Sequence, residues 1–372
     1  MSNSRLKLLL VAGARPNFMK VAPIIQQIVR RSASGHGDSP HLDYRLVHTG
    51  QHYDSKMSDV FFDDLGISPP DVNLGIGSGS HAVQTANVMA KFEPVCEREK
   101  PDWVVVVGDV NSTMACTLVC AKLGIKVAHV EAGLRSFDRS MPEEVNRIVT
   151  DALADLLLTP SADAGENLAR EGIPASKVEF VGNVMIDSLL ANLDRARAST
   201  ICQRLGLVSG GFAYVTLHRP SNVDSEAELA AIMSELRKIA QEVAVVFPMH
   251  PRTRKMCAQF EIPLNSIGGL HIVDPIGYHD SLCLTESARF VLTDSGGLQE
   301  ESTYFRTPCL TLRPNTERPV TVTIGSNRLT KLCRLGADIA SSLGAAGRTG
   351  QVPPLWDGRS AQRIVDAIVA AS

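Results

Sequence analysis

Six short apolar runs in this chain are each followed closely by a charged or polar residue that could do chemistry. Carboxylates at such positions, among them Asp109 and Glu131, can act as general acids or bases, and Arg15 can bind a phosphate group. In an open parallel sheet the carboxyl ends of the strands form one crevice, so these side chains are expected to meet at one ligand. The alternatives are helix capping for Asp109 and a satisfied core position for His218. The runs and the residues that follow them are 8–11 with Arg15, 104–107 with Asp109, 127–130 with Glu131, 214–217 with His218, 243–247 with His250 and 290–292 with Asp294.

The segment FVLTDSGGLQEES at 290–302 is the sharpest local signal. A strand-like run ends there at two glycines, which allow close backbone approach, and a helix-like stretch follows. Helix N-termini attract anions through their free amide groups, so Ser295, Gly296 and Gly297 are predicted to bind one. A tight turn with an Asp or Ser cap is the alternative. Arg313 and Arg318 follow a later strand, where an arginine fork could match phosphate oxygens or remain solvated.

Further charges cluster in the first half of the chain. Arg15 follows the first strand and Lys20 lies in the next helix, a disposition suited to a phosphate or a leaving group, although solvated ends are the alternative. The motif MPEEVNR puts Glu143, Glu144 and Arg147 on the first turns of a helix. Glutamates in a first turn usually compensate the helix dipole at the surface, so taken singly they favour that interpretation.

Composition excludes several classes of function. With 37 basic and 40 acidic side chains the net charge is −3, which draws the protein neither to nucleic acid nor to an anionic membrane. The eight cysteines form no C-x-x-C pair and the ten histidines no H-E-x-x-H motif, so no metal is implied. The run LGIGSGS lacks the G-x-G-x-x-G spacing, so a bound NAD is not supported. Cysteines inside apolar segments, and an N-terminal apolar run too short for a membrane span, predict a cytoplasmic protein with reduced thiols.

The order of the segments predicts an α/β fold. Short β-branched runs alternate with helix-period stretches, which is typical of βαβ units in parallel sheets. A chain of 372 residues fits two domains, here 1–182 and 183–372, with a closing amphipathic helix near 360–371 assigned to the second. The predicted strands lie near 6–11, 44–48, 104–107, 126–130 and 156–158 in the first series and near 213–217, 243–247, 271–273, 290–293 and 309–312 in the second.

Eight motifs in order, from about residue 8 to 320, resemble the UDP-N-acetylglucosamine 2-epimerase family of the non-hydrolysing bacterial and archaeal type. They are GARPNFMK, TGQHYD, GDVNST, HVEAGLRS, MPEEVNR, LHRPSNV, DSGGLQEE and TERP. The resemblance implies a glycosyltransferase-B-like architecture of two Rossmann-like parallel-sheet domains facing a central cleft. It also implies a homodimer that binds UDP-N-acetylglucosamine and UDP, and that needs neither a nicotinamide cofactor nor a metal.

The resemblance assigns roles to individual residues of this chain. Those it implies in catalysis are Asp109, Glu131, Glu143, Arg147 and His218. Those it implies in substrate binding are Arg15, Lys20, Ser295, Gly296, Gly297, Glu301 and Arg318. Among them the serine and two glycines hold the diphosphate and Glu301 takes the ribose hydroxyls. Where relatives carry P-x-x-Y-x-x-F this chain has PIGYHDS, so Ser281 stands at the phenylalanine position and Tyr278 is the expected ring beside the uracil.

The implied reaction is reversible epimerisation at C2 of the sugar. UDP leaves C1 as the C2 proton is removed, and it returns to the 2-acetamidoglucal to give UDP-N-acetylmannosamine. Asp109, Glu131 and Glu143 are expected to divide the acid, base and cation-stabilising roles. The alternatives are a hydrolysing 2-epimerase that releases UDP and N-acetylmannosamine, a glycosyltransferase on the same scaffold, and a nucleotide-sugar sensor without catalysis. The intact set of three carboxylates argues against a sensor.

Overall fold

The computed structural model describes residues 5–33, 40–50, 62, 65–264, 268–344 and 349–372. The chain divides into two compact units: unit 1 comprises Met1–Ser188 and Pro354–Ser372, and unit 2 comprises Leu189–Pro353. In the motif TGQHYD, residues 51–54 lie outside the described part of the chain. None of the helices in the described ranges is both long and apolar enough to cross a bilayer.

Unit 1 is built on a seven-stranded sheet in which every strand pair is parallel, in the order β3-β2-β1-β4-β5-β6-β7. The central strands are buried on both faces, which explains why the sequence of β4 reads WVVVV without alternation. The strands are β1 (Arg5–Ala12), β2 (His41–His48), β3 (Val72–Asn73), β4 (Trp103–Val107), β5 (Lys126–Val130), β6 (Leu156–Thr159) and β7 (Val178–Phe180).

Helices cover both faces of this sheet. Leu8 and Leu10 of β1 belong to one apolar cluster and Leu9 and Val11 to another, because successive strand residues point to opposite faces. The helices of unit 1 are α1 (Arg15–Ala33), α2 (His81–Glu99), α3 (Asn111–Leu123), α4 (Pro142–Leu153) and α5 (Ala162–Arg170), with a short 3-10 turn at Ala175–Lys177. The helix α6 (Val184–Arg197) runs across the division between the units.

The last helix packs against unit 1, whereas the sequence analysis assigned it to the second domain. Its apolar side, which includes Ile364 and Ile368, joins the same cluster as helix α1. Asp187 caps its start by accepting hydrogen bonds from the amides of Ser360 (3.2 Å) and Ala361 (2.8 Å). The division between the units falls after Ser188 rather than at residue 182. Amphipathic periodicity predicted the helix correctly, but periodicity carries no information about which surface covers its apolar side.

Unit 2 contains a six-stranded parallel sheet in the order β10-β9-β8-β11-β12-β13. Its strands are β8 (Phe212–Thr216), β9 (Ala244–Pro248), β10 (Leu270–Val273), β11 (Phe290–Thr293), β12 (Cys309–Leu312) and β13 (Asn327–Thr330). Its helices are α7 (Ile201–Arg204), α8 (Pro220–Val223), α9 (Glu226–Ile239), α10 (Pro251–Gln259), α11 (Tyr278–Ser287), α12 (Gly296–Phe305), α13 (Val320–Thr323) and α14 (Leu335–Gly344), with a 3-10 turn at Leu332–Arg334; α15 (Ser360–Ala370) is the last helix of unit 1.

The prediction of two Rossmann-like parallel sheets is confirmed, and each sheet has more strands than the five predicted. The additional strands are β3, β7 and β13, which lie at sheet edges and are two to four residues long. Short edge strands carry too few apolar residues to give a periodic signal. The order of the strands matters for the site, because β1, β4 and β5 are neighbours in unit 1 and β8, β11 and β12 are neighbours in unit 2.

Candidate active site

A buried ion pair lies at the carboxyl edge of the sheet in unit 1. Lys20 Nζ in α1 is 2.5 Å from Glu131 Oε2, which follows β5, and the two side chains are only 10% and 4% exposed. Glu131 has a φ of +70°, a left-handed conformation that is uncommon for a residue with a side chain. Burying two charges is costly unless they pair, so a pair kept at a strand end points to a function.

Gly108 provides the space for this pair. It follows β4 with a φ of +68°, and a Cβ atom there would lie 3.0 Å from Lys20 Nζ and 3.7 Å from Glu131 Oε2. A side chain at this position would therefore both strain the backbone and crowd the lysine. The positive φ and the nearby lysine therefore explain why the GDVNST motif begins with glycine.

Arg147 connects Asp109 with a second glutamate. Its guanidinium contacts the Asp109 carboxylate and lies 2.7 Å from Glu144 Oε2. Burial raises the pKa of Glu144, but the amides of Ser136 and Phe137 and the Arg147 guanidinium outweigh it and hold that pKa below its usual range. Glu144 is therefore ionised and holds the loop before α4, while Asp109 keeps 30% of its side chain exposed.

The two predicted site residues Glu143 and Arg15 differ from their neighbours in being exposed. Glu143 lies beside Glu144 in the first turn of α4 but on the solvent side, and no described residue makes a hydrogen bond or ion pair with its side chain. Arg15 begins α1 and is also exposed. The two adjacent glutamates therefore differ in their surroundings: Glu144 contacts protein groups, whereas the carboxylate of Glu143 is exposed to solvent.

In unit 2, a buried aspartate orients the predicted histidine. Asp294 follows β11 with a fully buried side chain, and it accepts hydrogen bonds from the amides of His218 (2.9 Å) and Arg219 (2.8 Å) and from Asn222 Nδ2 (3.0 Å). Its Oδ1 is 2.9 Å from His218 Nδ1. Burial raises the pKa of Asp294, but His218, Arg219 and Asn222 together hold it below the ordinary value. The imidazole of His218 is 42% exposed, so its other ring nitrogen is available to a ligand.

The predicted anion site begins helix α12. Ser295 is its N-cap and Gly296 its first residue, so the first-turn amides have no intrahelical acceptor. Arg318 lies directly against this turn, because a Cβ on Gly296 would be 2.8 Å from its Nη1. Two glutamates hold the arginine in place: Arg318 Nε is 2.7 Å from Glu300 Oε1 and Nη1 is 2.5 Å from Glu317 Oε1. The helix start and the guanidinium therefore bring N–H donors together at one place, which suits phosphate oxygens.

A second arginine shares Glu317 with Arg318. Arg313 Nη2 lies 2.8 Å from Glu317 Oε2, and both side chains are buried. Burial raises the pKa of Glu317, but Arg318 and Arg313 outweigh it and hold that pKa far below the ordinary value. Of the two arginines predicted on this loop, Arg318 lies against the first turn of α12, and Arg313 contacts the same Glu317.

The resemblance of the motifs implies a diphosphate at this helix start, so replacing Gly296 by alanine is expected to weaken the binding of UDP about tenfold, equivalent to about 1.4 kcal/mol. The added methyl group would displace the Arg318 guanidinium, which Glu300 and Glu317 leave little room to move. Isothermal titration calorimetry with UDP measures the effect. Gly344→Ala is the matched control, because a Cβ at that helix end meets no described atom within 4 Å. Unchanged affinity in Gly296→Ala would show that Arg318 does not contribute at this position.

Glu301, the predicted ribose ligand, is a buried residue of α12. Burial, together with the charge of Glu300, raises its pKa to about 8. The hydroxyl of Tyr278 is buried without a hydrogen-bond partner in the described part of the chain, and burial followed by the charges of Glu301 and Glu300 raises its pKa well above the ordinary value. A neutral carboxyl group at Glu301 is a hydrogen-bond donor as well as an acceptor, which suits a hydroxyl-bearing ligand.

The raised pKa predicts a pH-dependent stability that Glu301→Gln removes. Below pH 4.5, which is the pKa of this carboxyl group in the unfolded chain, Glu301 is protonated in both the folded and the unfolded state. Between pH 4.5 and about 8 the unfolded chain releases the proton and the folded protein keeps it, so the free energy of unfolding falls as the pH rises. The melting temperature of the wild type is therefore expected to fall relative to Glu301→Gln between about pH 5 and 8 and to run parallel above. Scanning calorimetry across this range measures it, with the exposed Glu242→Gln as control. Parallel curves throughout would contradict the assignment.

A cavity of about 230 Å³ opens beside His218 in unit 2. Its aromatic wall is Tyr214 of β8, whose hydroxyl lies 2.8 Å from Ser281 Oγ, and Tyr278 is not among the lining residues. The placement of Tyr278 beside a uracil ring therefore stays a prediction. The lining residues are Tyr214, Thr216, Leu217, His218, Pro248, His250, Pro275, Ile276, Ser281, Ser295 and Leu298.

Sequence reasoning missed two buried carboxylates, one in each unit, that contact predicted site residues. Asp294 was noticed only as a strand-end residue, although its position before Ser295 could have suggested a partner for His218. Glu144 was set aside as a surface residue and is buried against Arg147. In the described part of the chain no group of three or more His, Cys, Asp or Glu side chains could hold a metal ion.

Comparison with known proteins identifies the family to which the chain is similar. The family model for UDP-N-acetylglucosamine 2-epimerase matches residues 36–369. The UDP-N-acetylglucosamine 2-epimerase of Methanocaldococcus jannaschii is 39% identical over 367 residues, covering 97% of this chain and 98% of that protein. The UDP-2,3-diacetamido-2,3-dideoxy-D-glucuronate 2-epimerase of Pseudomonas aeruginosa is 41% identical over 333 residues, covering 88% and 89%.

Solved structures agree with the fold. The crystal structure of the M. jannaschii UDP-GlcNAc 2-epimerase in complex with UDP-GlcNAc and UDP matches with a TM-score of 0.87 and 40% identity, covering 98% of this chain and 100% of that one. A lipopolysaccharide outer core galactosyltransferase matches with a TM-score of 0.52 and 14% identity, covering 99% and 100%, which shows a glycosyltransferase-B-like fold alone. Because the family model and the archaeal relative both span nearly the whole chain, this protein belongs to the UDP-N-acetylglucosamine 2-epimerase family.

Proposed function

We propose that this protein interconverts UDP-N-acetylglucosamine and UDP-N-acetylmannosamine and returns the UDP to the sugar rather than releasing a free hexosamine. The observation that carries the proposal is the buried Lys20–Glu131 pair beside Asp109 at neighbouring strand ends. Epimerisation at C2 needs a group that removes a proton and a group that delivers one, and this edge of the sheet supplies carboxylates for both. Family membership supports the same reaction class.

The reaction proceeds by elimination and re-addition. A carboxylate takes the C2 proton, the electrons of the C2–H bond form the C1=C2 double bond, and the electrons of the C1–O bond leave with UDP. An oxygen of the UDP then adds back to C1 while a carboxylic acid delivers a proton to the opposite face of C2. Asp109, Glu131 and Glu143 divide the base, acid and cation-stabilising roles, since a carboxylate beside a developing oxocarbenium ion lowers the barrier.

Unit 2 supplies the donors for the leaving diphosphate. The first turn of α12 offers backbone amides, and Arg318 adds a guanidinium fork against the same turn. His218, with Nδ1 held by Asp294, presents its other nitrogen to the ligand. In unit 1, Arg15 and Lys20 assist in neutralising the phosphates, and Arg147 sets the orientation of Asp109. Stabilising the charge that develops on UDP lowers the barrier to C1–O cleavage.

A second candidate substrate comes from the comparison itself. The relative from P. aeruginosa, named for a 2,3-diacetamido glucuronate, is about as similar to this chain as the archaeal relative. The two sugars differ at C3 and C6, and the C2 chemistry is common to both. The ratio of kcat/KM for the two UDP-sugars decides between them, and the proposed function expects UDP-N-acetylglucosamine to be preferred.

Incubation in deuterium oxide tests the reaction. With UDP-N-acetylglucosamine, EDTA and no added NAD, we expect deuterium at C2 of both UDP-sugars and no accumulation of free N-acetylmannosamine. Free N-acetylmannosamine and stoichiometric UDP would indicate a hydrolysing 2-epimerase instead. Sugar transfer to an acceptor without exchange at C2 would indicate a glycosyltransferase, and ligand binding without either would indicate a sensor.

We also propose that the protein is a homodimer and works in the cytoplasm. The resemblance of its motifs to the family supports the dimer, and the eight free cysteines suit a reducing compartment. Size-exclusion chromatography with light scattering tests the first proposal, because a single species of about 40 kDa would contradict it. Subcellular fractionation tests the second.

A further inference from the structure

The turn that carries Asp109 is held by its backbone oxygens as well as by its side chain. Three successive carbonyl groups, from the end of β4 to Asp109 itself, each accept a hydrogen bond from a buried side chain. A turn fixed in this way cannot rotate a peptide plane without losing a hydrogen bond to a buried donor. The donors are Asn17 Nδ2 (3.2 Å) and Thr113 Oγ1 (3.0 Å) at Val107, His129 Nε2 (2.9 Å) at Gly108 and Asn146 Nδ2 (2.9 Å) at Asp109.

His129 differs from the other donors because both of its ring nitrogens face acceptors. Its side chain is fully buried in β5, with Nδ1 2.6 Å from Asp151 Oδ1 and Nε2 2.9 Å from the Gly108 carbonyl oxygen. A neutral imidazole has one donor and one acceptor nitrogen, so it could satisfy only one of these contacts. The other would bring two acceptors together at hydrogen-bond distance, which is unfavourable in a buried site.

The charges around His129 are balanced for a cationic ring. Asp151 Oδ2 also accepts hydrogen bonds from Gly133 N (3.0 Å) and lies 2.7 Å from Arg135 Nη1. Arg135 continues to Glu171 with two contacts of 2.7 Å. The buried chain therefore alternates imidazolium, carboxylate, guanidinium and carboxylate, with a net charge of zero. An ionised Asp151 cannot donate a hydrogen bond to the ring, so the ring must donate.

We propose that His129, carrying hydrogens on both ring nitrogens, is a positioning residue that fixes the Gly108 turn and thereby places Asp109 for the reaction. This inference rests on the proposed function for its kinetic consequence, but the protonation state of the ring is independent of any substrate. His129 does not contact the reacting atoms in this assignment. It acts through the Gly108 carbonyl, at the same turn where a Cβ would crowd Lys20.

Two substitutions separate positioning from a merely structural role. The amide nitrogen of glutamine reaches the position of Nε2 and can still donate to Gly108, whereas that of asparagine reaches the position of Nδ1 and can donate only to Asp151. Both variants remove the same ring and the same charge. We expect His129→Asn to lower kcat about 100-fold with KM changed less than about threefold, and His129→Gln to remain within about tenfold of the wild type.

Glu171→Gln is the control, because it disturbs the far, partly exposed end of the same charge chain without touching Gly108. It is expected to retain the kcat of the wild type even if it lowers the melting temperature. Equal losses of kcat in His129→Asn and His129→Gln would overturn the proposal, because a structural role alone predicts that both fall together with stability.

Nitrogen-15 spectra of histidine-labelled wild-type protein at neutral pH provide a test that needs no variant to be active. The resonance absent from His129→Gln identifies the residue, and both ring nitrogens are expected to be bonded to hydrogen. An unprotonated ring nitrogen at His129 would overturn the proposal. If the wild type does not turn over the UDP-sugar, the proposed function fails, but the positioning role of His129 can still be tested. The backbone amide resonance of Asp109 is expected to shift in His129→Asn and to stay in place in His129→Gln. A shift of equal size in both variants would overturn the positioning role.

Discussion

Glu131→Gln is expected to lower kcat by about 1,000-fold while leaving the affinity for UDP within a few-fold of the wild type. The glutamine keeps the shape of the side chain that meets Lys20 Nζ at 2.5 Å, but it can neither accept nor deliver a proton at C2. UDP lacks the hexosamine ring whose C2 proton is transferred, so its binding does not depend on that proton transfer. Steady-state kinetics and isothermal titration calorimetry measure the two effects on the same preparation.

A structural effect of the substitution has to be separated from the chemical one. Glu131→Gln leaves the buried ammonium of Lys20 without its counter-charge, which costs about 3–5 kcal/mol when one partner of a buried pair is removed. The double variant Lys20→Met with Glu131→Gln removes both charges and is expected to regain stability without regaining activity. Glu97→Gln, an exposed glutamate of the same unit, is the control for the chemical change. A kcat within tenfold of the wild type would refute a proton-transfer role for Glu131.

Asp294→Asn is expected to lower kcat/KM about 100-fold and to destabilise unit 2 by about 2–3 kcal/mol. The carboxylate accepts hydrogen bonds from two backbone amides and from Asn222, and it holds His218 Nδ1 at 2.9 Å. In Asp294→Asn the side-chain NH2 group replaces one carboxylate oxygen and faces an N–H donor instead of accepting from it. At least one buried hydrogen bond is therefore lost, and the imidazole of His218 is no longer held in one orientation.

The pH dependence gives this prediction a second readout. The pKa of Asp294 is lower in the folded than in the unfolded protein, so its contribution to stability is fully present above about pH 4 and is lost as the pH falls through the folded value. The difference in melting temperature between the wild type and Asp294→Asn is therefore expected to be largest near neutral pH and to shrink in acid. Asp274→Asn, at a largely exposed aspartate of the same unit that lies 3.2 Å from Arg254, is the control. A difference that stays constant into acid would contradict the ionised state of Asp294.

The location of the candidate site residues at strand ends could be predicted from local patterns. An apolar run that stops at a charged residue is visible without any knowledge of the fold, and Asp109, Glu131 and His218 were found in this way. The assignment of parallel sheets followed from the same runs, because a strand buried on both faces must be apolar throughout. The glycine pair after β11 predicted the helix start that now carries Arg318 against Gly296.

Partners of buried charges could not be predicted in the same way. Glu143 and Glu144 are adjacent and chemically identical, yet only Glu144 turns inward to Arg147 and the amides of the preceding loop. Which of the two is buried depends on the rotation of α4 against the sheet, and this rotation is set by packing.

Residue types and local order are properties of short segments, and the chain alone was sufficient to predict ten of the thirteen described strands and the carboxylates at the strand ends. The adjacency of β1, β4 and β5, the pairing of Asp294 with His218 and the docking of α15 on α1 appear only in the folded structure. Each of them joins residues that are far apart along the chain. Such contacts are selected by the summed burial and hydrogen bonding of the whole unit, which no local pattern contains.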